Sequence, residues 1–465
     1  MKITMCFKVL LVGWMLAHPV YGQQLEGYLE LATEENPQLK SAFLAYQSAL
    51  QRVPQVGALP DPQLTLGYFL RPMEQMMGNQ VAQVSLMQMF PWFGTRAAAK
   101  DEASLMAKAK FNRFLDVKSE IRYETKATWY ALYLIEEDRR ITDENVEILR
   151  TLETIALSRF KSGATEGSVT TRVGETMNPK PMSPEASEGM GQMNTPSQAP
   201  KMKQSNAMGA NMGGQGSSGL VDVLRIQMEV LELENKQHQL ADARQVLMAQ
   251  FNKLLNRPLE TEVVLGDSLK AVPMPVPLVQ MPDSIVKNNP MLGMLQAEEA
   301  AFLAQTKMNQ KMGFPMIGVG TQYGILKPRA GNLNPMNGRD MWMPMVSVNL
   351  PIWRKKYRAS VKEVQLKREA VAEDQRETQN ALMVSHEEAL KDFRDAERRK
   401  ALYERQSMLA LQTLHILTAS YGAGGNEFED VLQMQSKLLN YRLAHLNAVV
   451  DQNISVARLE RLMGR

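Results

Sequence analysis

Residues 35–39 read Glu-Asn-Pro-Gln-Leu and residues 288–292 read Asn-Asn-Pro-Met-Leu, so one short pattern occurs twice in this chain of 465 residues. In both places a proline follows an asparagine where a helix should begin, because proline suits the first helical position. Helices are predicted over residues 41–53 and 295–311. Each is followed by a proline at the same distance from its Asn-Pro pair, Pro62 and Pro315. The chain is too long for one ordinary core, and this spacing indicates an internal repeat.

Two strand-like segments follow each of these prolines. Residues 63–70 and 81–90 alternate apolar and polar side chains, with a polar loop predicted over 71–80. Residues 316–326 and 341–350 repeat the pattern around a loop rich in Gly, Pro and Asn. Four strands are therefore predicted, as two pairs.

Aromatic and basic residues end each strand pair, in the sequences FPWFGTR and LPIWRKK. Aromatic and basic side chains at a strand end suit a membrane–water interface. The alternative is an ordinary strand-to-helix turn with a solvated basic tail, but the recurrence favours the interface. The predicted interface residues are Trp92, Phe93, Trp353 and Tyr357.

Two long segments, residues 97–161 and 357–420, contain neither proline nor glycine. Each predicts a single helix of about 100 Å, at 1.5 Å per residue, and such length favours coiled-coil packing. Both lead to a tip in which an aromatic residue and a glycine precede an Asp-Val-Leu start, and return helices are predicted over 220–256 and 428–463. The residues that define the two tips are Phe160, Gly163, Asp222, Leu224, Tyr421, Gly424, Asp430 and Leu432.

The N-terminus predicts a secretory signal peptide over residues 1–22, with cleavage before Gln23. Its apolar run is too short to span a bilayer, and a buried N-terminal helix is the alternative. The only cysteine, Cys6, lies inside this segment and lacks the preceding small residues of a lipoprotein cleavage site. We therefore expect a mature chain without a thiol, disulfide or lipid anchor. After the signal, no apolar run approaches the roughly 18 residues of a membrane helix.

The composition argues against nucleic-acid binding and catalysis. The formal net charge is only +3, and aromatic residues make up 6% of the chain, which favours long helices over large globular cores. No nucleophile elbow, phosphate loop or paired-carboxylate motif is present. The remaining histidines show no metal-ligand spacing: His238, His386, His415 and His445. An enzyme is therefore not expected, and neither is a cofactor.

The order of these elements resembles the TolC-type outer-membrane factor family, also called outer membrane efflux proteins, over nearly the whole mature chain. The two Asn-Pro openings, the two strand pairs and the two tips carry this resemblance. It implies a mainly α homotrimer in which duplicated coiled-coil hairpins form an α-barrel and each subunit gives four strands to one transmembrane β-barrel. It also implies a place in the bacterial outer membrane and its lipid, and extension into the periplasm. The resemblance further implies that the tip residues contact a periplasmic membrane-fusion adaptor and, through it, an inner-membrane pump.

The residues independently support an oligomer, because four strands cannot close a barrel and their free edges need other subunits. The predicted organisation is a first repeat over 23–256, a linker over 257–283 and a second repeat over 284–465. Two features depart from the family pattern. The acylated N-terminal cysteine of many relatives is absent, and a long insertion over residues 166–218 interrupts the first tip.

The insertion is rich in Gly, Ser, Pro, Asn and Gln and contains seven methionines that we predict as soft-metal ligands. Thioethers select Cu(I) and, by the same chemistry, Ag(I), so copper or silver efflux is the predicted function. A linker without a ligand role is the alternative, because the chain has 33 methionines in all. A channel that exports drugs or polypeptides, or a periplasmic adaptor without a pore, would also fit the sequence. The seven methionines are Met177, Met182, Met190, Met193, Met202, Met208 and Met212.

Acidic residues at the second tip are candidates for a ring around the channel aperture. Glu427, Glu429 and Asp430, with Asp222 from the first tip, would favour cations when present in three copies. Helix capping and complementarity to the helix dipole explain Asp222 and Asp430 equally well. Both roles are compatible.

Overall fold

A computed structural model of the chain describes residues 24–166, 217–266, 269–423 and 428–465. The predicted signal peptide and the seven insertion methionines lie outside the described residues, as do Gly424 and Glu427. In the described parts of the chain, no helix is both long enough and apolar enough to cross a membrane.

The prediction of a mainly helical chain with four strands is confirmed, and one element order, two helices, two strands and two long helices, occurs twice. A short 3-10 helix, Leu278–Gln280, lies between the two sets. The first set is α1 (Gln24–Glu35), α2 (Pro37–Gly57), β1 (Gln63–Gln75), β2 (Gly78–Phe90), α3 (Thr95–Glu166) and α4 (Ser217–Leu254). The second set is α5 (Met281–Asn288), α6 (Pro290–Lys311), β3 (Met316–Lys327), β4 (Met341–Asn349), α7 (Arg354–Gly422) and α8 (Phe428–Leu462).

Two details of the sequence prediction are wrong. The predicted polar loop over residues 71–80 is mostly strand, because β1 continues to Gln75 and β2 begins at Gly78. Gly78 has a φ of 128°, and a Cβ there would lie 2.6 Å from the carbonyl oxygen of Lys327, so this tight turn requires glycine. The first long helix does not end at residue 161, since α3 continues through Gly163 to Glu166.

Asn36 and Asn289 explain why the Asn-Pro pattern occurs twice. Each is an N-cap whose side-chain oxygen accepts hydrogen bonds from two backbone N–H groups of the first turn of α2 or α6. Each side-chain amide also donates to a carbonyl at the end of a return helix, Asn36 to Leu254 at 2.9 Å and Asn289 to Leu462 at 3.0 Å. One side chain therefore joins the start of one helix to the end of another, in both copies.

The chain divides into two compact units, and the first comprises residues 1–138, 241–405 and 442–465. Its described part contains the sheet and two hydrophobic clusters. One cluster surrounds α1, with Ala32, Trp129 and Phe251 buried, and the other surrounds α5, with Met281, Ile285 and Leu459 buried. The short helix that opens each set thus packs into a core of its own.

The second unit comprises residues 139–240 and 406–441 and is helical where it is described. Its interior mixes apolar with polar side chains. Ile226 and Val431 are buried, and so are Asn145 and Gln435, which hydrogen-bond to each other. Buried polar pairs of this kind set the register between packed helices.

Candidate functional site

The four strands form one antiparallel sheet in the order β1-β2-β3-β4. The middle pair, β2 and β3, joins the two sets of elements. Among the described residues, β1 and β4 are each paired on one side only. The sheet therefore ends in two open edges, which soluble proteins usually cover or shorten.

One face of this sheet is apolar and exposed. The cross-strand register aligns Leu66, Val84, Tyr323 and Trp342 in one row, and the other rows on this face are similar. Leu66 is 71% exposed and Val346 is 74% exposed. The apolar residues on this face are Leu64, Leu66, Tyr68, Ala82, Val84, Leu86, Phe90, Ile317, Val319, Tyr323, Ile325, Trp342, Val346 and Val348.

The opposite face carries mainly Gln, Ser, Thr, Gly and Met and is the more covered of the two. Gln83 accepts a hydrogen bond from the side-chain amide of Gln322 at 3.1 Å, and Ser347 lies beside Met87. Ser347 and Met87 are half-buried, whereas their apolar neighbours Val346 and Leu86 are exposed. This is the reverse of a sheet in a soluble protein and matches strands that face lipid on one side and water on the other.

Aromatic side chains cluster where the strands meet the long helices. The ring of Trp92 stacks on Phe314 with centroids 5.3 Å apart, beside a cavity of about 450 Å³. Phe93 is 80% exposed and Trp353 is 77% exposed. Tyr357, the fourth predicted interface residue, is half-buried. Two exposed rings flanking an apolar sheet are typical of the aromatic girdles at membrane surfaces.

The basic residues beside these aromatics are not simply solvated, which sequence reasoning missed. The Arg96 guanidinium donates two hydrogen bonds to the carbonyl oxygen of Gly57, the last residue of α2. Arg354 donates to the carbonyl oxygen of Gly313, just after α6, at 3.1 Å. Each arginine therefore caps the C-terminus of the helix that precedes its own strand pair, where a positive charge complements the helix dipole.

At the tip of the second unit, the predicted contact residues differ in exposure. Tyr421 is only 2% exposed, and its ring packs against Phe428 with centroids 5.2 Å apart, so it shapes the tip from inside. Leu224 and Asp430 are exposed, and Leu432 is half-buried. The side chain of Phe160, a further predicted contact, lies outside the described part of the tip.

The acidic residues of the tip are partly engaged within the chain. Glu429 forms an ion pair with Arg225 at 2.7 Å, which ties the start of α8 to α4. Asp222 has an interaction partner, and Asp430 lies in the first turn of α8. Within the described ranges, no group of three or more His, Cys, Asp or Glu side chains is arranged to hold a metal ion.

Exposed apolar stripes run along two helices of this unit. On α4, Leu220, Leu224 and Leu231 lie at helical spacing and are exposed. On α7, Leu409 and Ile416 are a heptad apart and exposed. Stripes of this kind form the seams of coiled coils, so these faces suit contact with further helices.

Part of the chain matches a known protein family. Residues 281–465 match the model of the outer membrane efflux protein family. No curated protein sequence matches the chain.

Solved structures match over almost the whole length. The outer-membrane channel OprN superposes with a TM-score of 0.70 at 14% identity, covering 95% of this chain and 90% of that one. CusC, studied for transmembrane channel formation, superposes with a TM-score of 0.69 at 13% identity, covering 97% and 95%. The outer membrane protein VceC from Vibrio cholerae gives 0.66 at 14% identity, covering 94% and 96%. The chain therefore has the fold of these outer-membrane proteins, and its residues 281–465 match the outer membrane efflux protein family.

Proposed function

We propose that this chain is one subunit of a homotrimeric outer-membrane channel in a tripartite efflux system. The sheet carries this proposal. Its apolar face is exposed, its other face is polar, and both of its edges are open. Three copies joined edge to edge would pair every strand, turn the apolar faces to lipid and enclose the polar faces around water.

The helical tip supports the second part of the proposal, contact with a periplasmic adaptor and, through it, an inner-membrane pump. The exposed stripe with Leu220, Leu224 and Leu231 is an apolar surface that another helix would cover. Asp430 and Glu429 lie in the first turn of α8. Because Glu429 is already paired with Arg225 and Asp222 also has a partner, we assign the aperture ring chiefly to Asp430, with Glu427 as a further member.

For the cargo we propose monovalent soft metal ions, Cu(I) or Ag(I). The support is chemical: the segment 166–218 contains seven methionines and no Cys or His, and thioethers prefer these ions. Drug or polypeptide export by the same channel is the alternative. The family match and the fold are compatible with either cargo.

The channel proposal is tested with a matched pair of arginine substitutions on opposite faces of the sheet. Val346→Arg places a charge on the proposed lipid face, which costs about 2–4 kcal/mol at the bilayer midplane and should reduce detergent-extracted trimer. Gln322→Arg places the same charge on the proposed lumen face and should assemble normally while changing ion selectivity. A wild-type protein that leaves the membrane fraction without detergent and conducts no ions in planar bilayers would refute the channel and favour a periplasmic adaptor.

The cargo proposal is tested by metal susceptibility of the native host. Strains carrying a full deletion, a deletion of residues 166–218, or that segment with its methionines changed to leucine would be compared with wild type. Copper or silver sensitivity of the full deletion, without drug sensitivity, is the expected result. Drug sensitivity with unchanged metal tolerance would exclude metal as the cargo while leaving the channel proposal in place.

A further inference from the structure

Methionines in the sheet lie on one face only. Between them, β2, β3 and β4 contain six, and the register places all six on the polar face. Within the described sheet, no residue that the register assigns to the apolar face is methionine. The six are Met87, Met89, Met316, Met341, Met343 and Met345.

Two glycines of β3 create a space into which these side chains converge. Gly318 lies between Met89 and Ser347 in one cross-strand row, and Gly320 lies between Met87 and Met345 in the next row. Since adjacent strands are about 4.8 Å apart, a side chain of β2 can reach over a glycine of β3 towards β4. The central strand thus contributes no side chain between the methionines on its two sides.

The methionines of β2 use this space. A Cβ added at Gly318 would lie 2.6 Å from the sulfur of Met89 and 3.2 Å from the sulfur of Met87, so both sulfurs lie above this one glycine. The Ser347 Oγ of β4 is 3.6 Å from the Met87 sulfur and 3.8 Å from the Met89 sulfur. Two thioethers and a hydroxyl therefore meet above β3, with Met345 on the adjoining row.

Packing alone does not explain this distribution. If methionine served only to fill space among apolar side chains, it would also be expected on the apolar face, which instead carries Leu, Val, Ile, Tyr and Trp. On the polar face, the methionines instead lie among Gln, Ser and Asn. A thioether on the polar face provides a soft, polarisable sulfur ligand.

We propose that Met87 and Met89, with Met345 across Gly320, form a binding site for a soft monovalent cation, Cu(I) or Ag(I), on the inner face of the sheet. The proposal rests on the channel function, which makes this face the lumen and repeats the site three times around it. Neutral thioethers leave the charge of the ion uncompensated. Binding is therefore weak enough for release, as conduction requires.

The test uses the full-length protein with the seven methionines of residues 166–218 changed to leucine, so that they do not contribute, and Ag(I) as the probe. The site variant is Met87→Leu with Met89→Leu, a volume-conserving change that keeps the sheet packed. The control is Met228→Leu with Met408→Leu, two exposed helix methionines. Ag(I) binding would be measured by titration calorimetry, and its ligands by X-ray absorption.

We expect the site variant to bind Ag(I) roughly tenfold or more weakly than the parent, and its X-ray absorption spectrum to lack sulfur neighbours of the ion. The control should bind Ag(I) as the parent does. Equal Ag(I) affinity of the site variant and the control, or a bound ion without sulfur neighbours, would overturn the site. Potassium conductance in bilayers is measured on the same samples. Absence of conductance in the parent would refute the channel, whereas normal conductance with no difference in Ag(I) binding would refute only this site.

Discussion

Replacing Asn289 by alanine removes every hydrogen bond with which this side chain joins α6 to the end of α8. The lost N-cap acceptor, which receives the backbone N–H groups of Met291 and Leu292, costs about 1 kcal/mol. The lost donor leaves the buried carbonyl of Leu462 without its 3.0 Å partner, which costs about 2 kcal/mol. The expected loss of unfolding free energy is therefore about 3 kcal/mol.

Two further variants separate these contributions. Asn289→Ser retains a capping hydroxyl but cannot reach Leu462, so it should lose about 2 kcal/mol. Asn288→Ala is the matched control, because this exposed neighbour donates only to Ser284, and its effect should stay within about 0.5 kcal/mol. Urea unfolding of the detergent-extracted protein, followed by helical circular dichroism, measures all three. If Asn289→Ser unfolds like wild type, the contact with Leu462 contributes nothing and the reasoning fails.

Three further predictions concern other polar contacts. Gln435→Leu leaves the buried side-chain oxygen of Asn145 without its donor and should cost about 1–3 kcal/mol of unfolding free energy. The double variant with Asn145→Leu should recover part of this loss, which a double-mutant cycle of urea midpoints measures. Arg354→Met removes a charge-assisted helix cap and should cost about 1–2 kcal/mol by the same assay, while exposed Lys355→Met should change little. Hydrogen bonds from neighbouring arginines lower the pKa of Asp395. The stabilisation from its carboxylate is therefore complete above the ordinary carboxyl pKa and is lost as the pH falls through the lowered value. Asp395→Asn should show a shallower loss of stability in acid than wild type, measured as urea midpoints across that pH range.

Much of the fold follows from local sequence patterns. The alternation in β2 and β4 predicts strands because side chains on a strand point alternately to opposite faces. The long segments without Pro or Gly predict α3 and α7 because nothing in them interrupts helical hydrogen bonding. The Asn-Pro pairs mark helix starts because the cap is made within three residues.

What the sequence did not reveal depends on contacts between distant residues. The loop predicted over residues 71–80 is strand because Gly78 turns against Lys327, which is far away in sequence. The local sequence indicates only the charge of Arg96 and Arg354, whereas their hydrogen-bond partners are carbonyl groups some 40 residues earlier. The sequence predicts which residues of each strand share a face. That Met87 and Met89 meet above Gly318 follows only from the register between strands.

The open edges and the exposed apolar face are the two features of the sheet that the proposed assembly would complete. A fully buried Leu, Val or Phe side chain contributes about 1.5–3 kcal/mol, and Leu66 and Val346 gain almost none of this in the isolated chain. The helical cores around α1 and α5, in contrast, are buried within the chain itself. Under the proposed channel function, helix packing can precede membrane contact, whereas the strands would gain their stability once lipid covers one face and neighbouring subunits pair with β1 and β4. The Asn and Arg caps join the helices on either side of each strand pair, so they fix the positions from which the strands start and end.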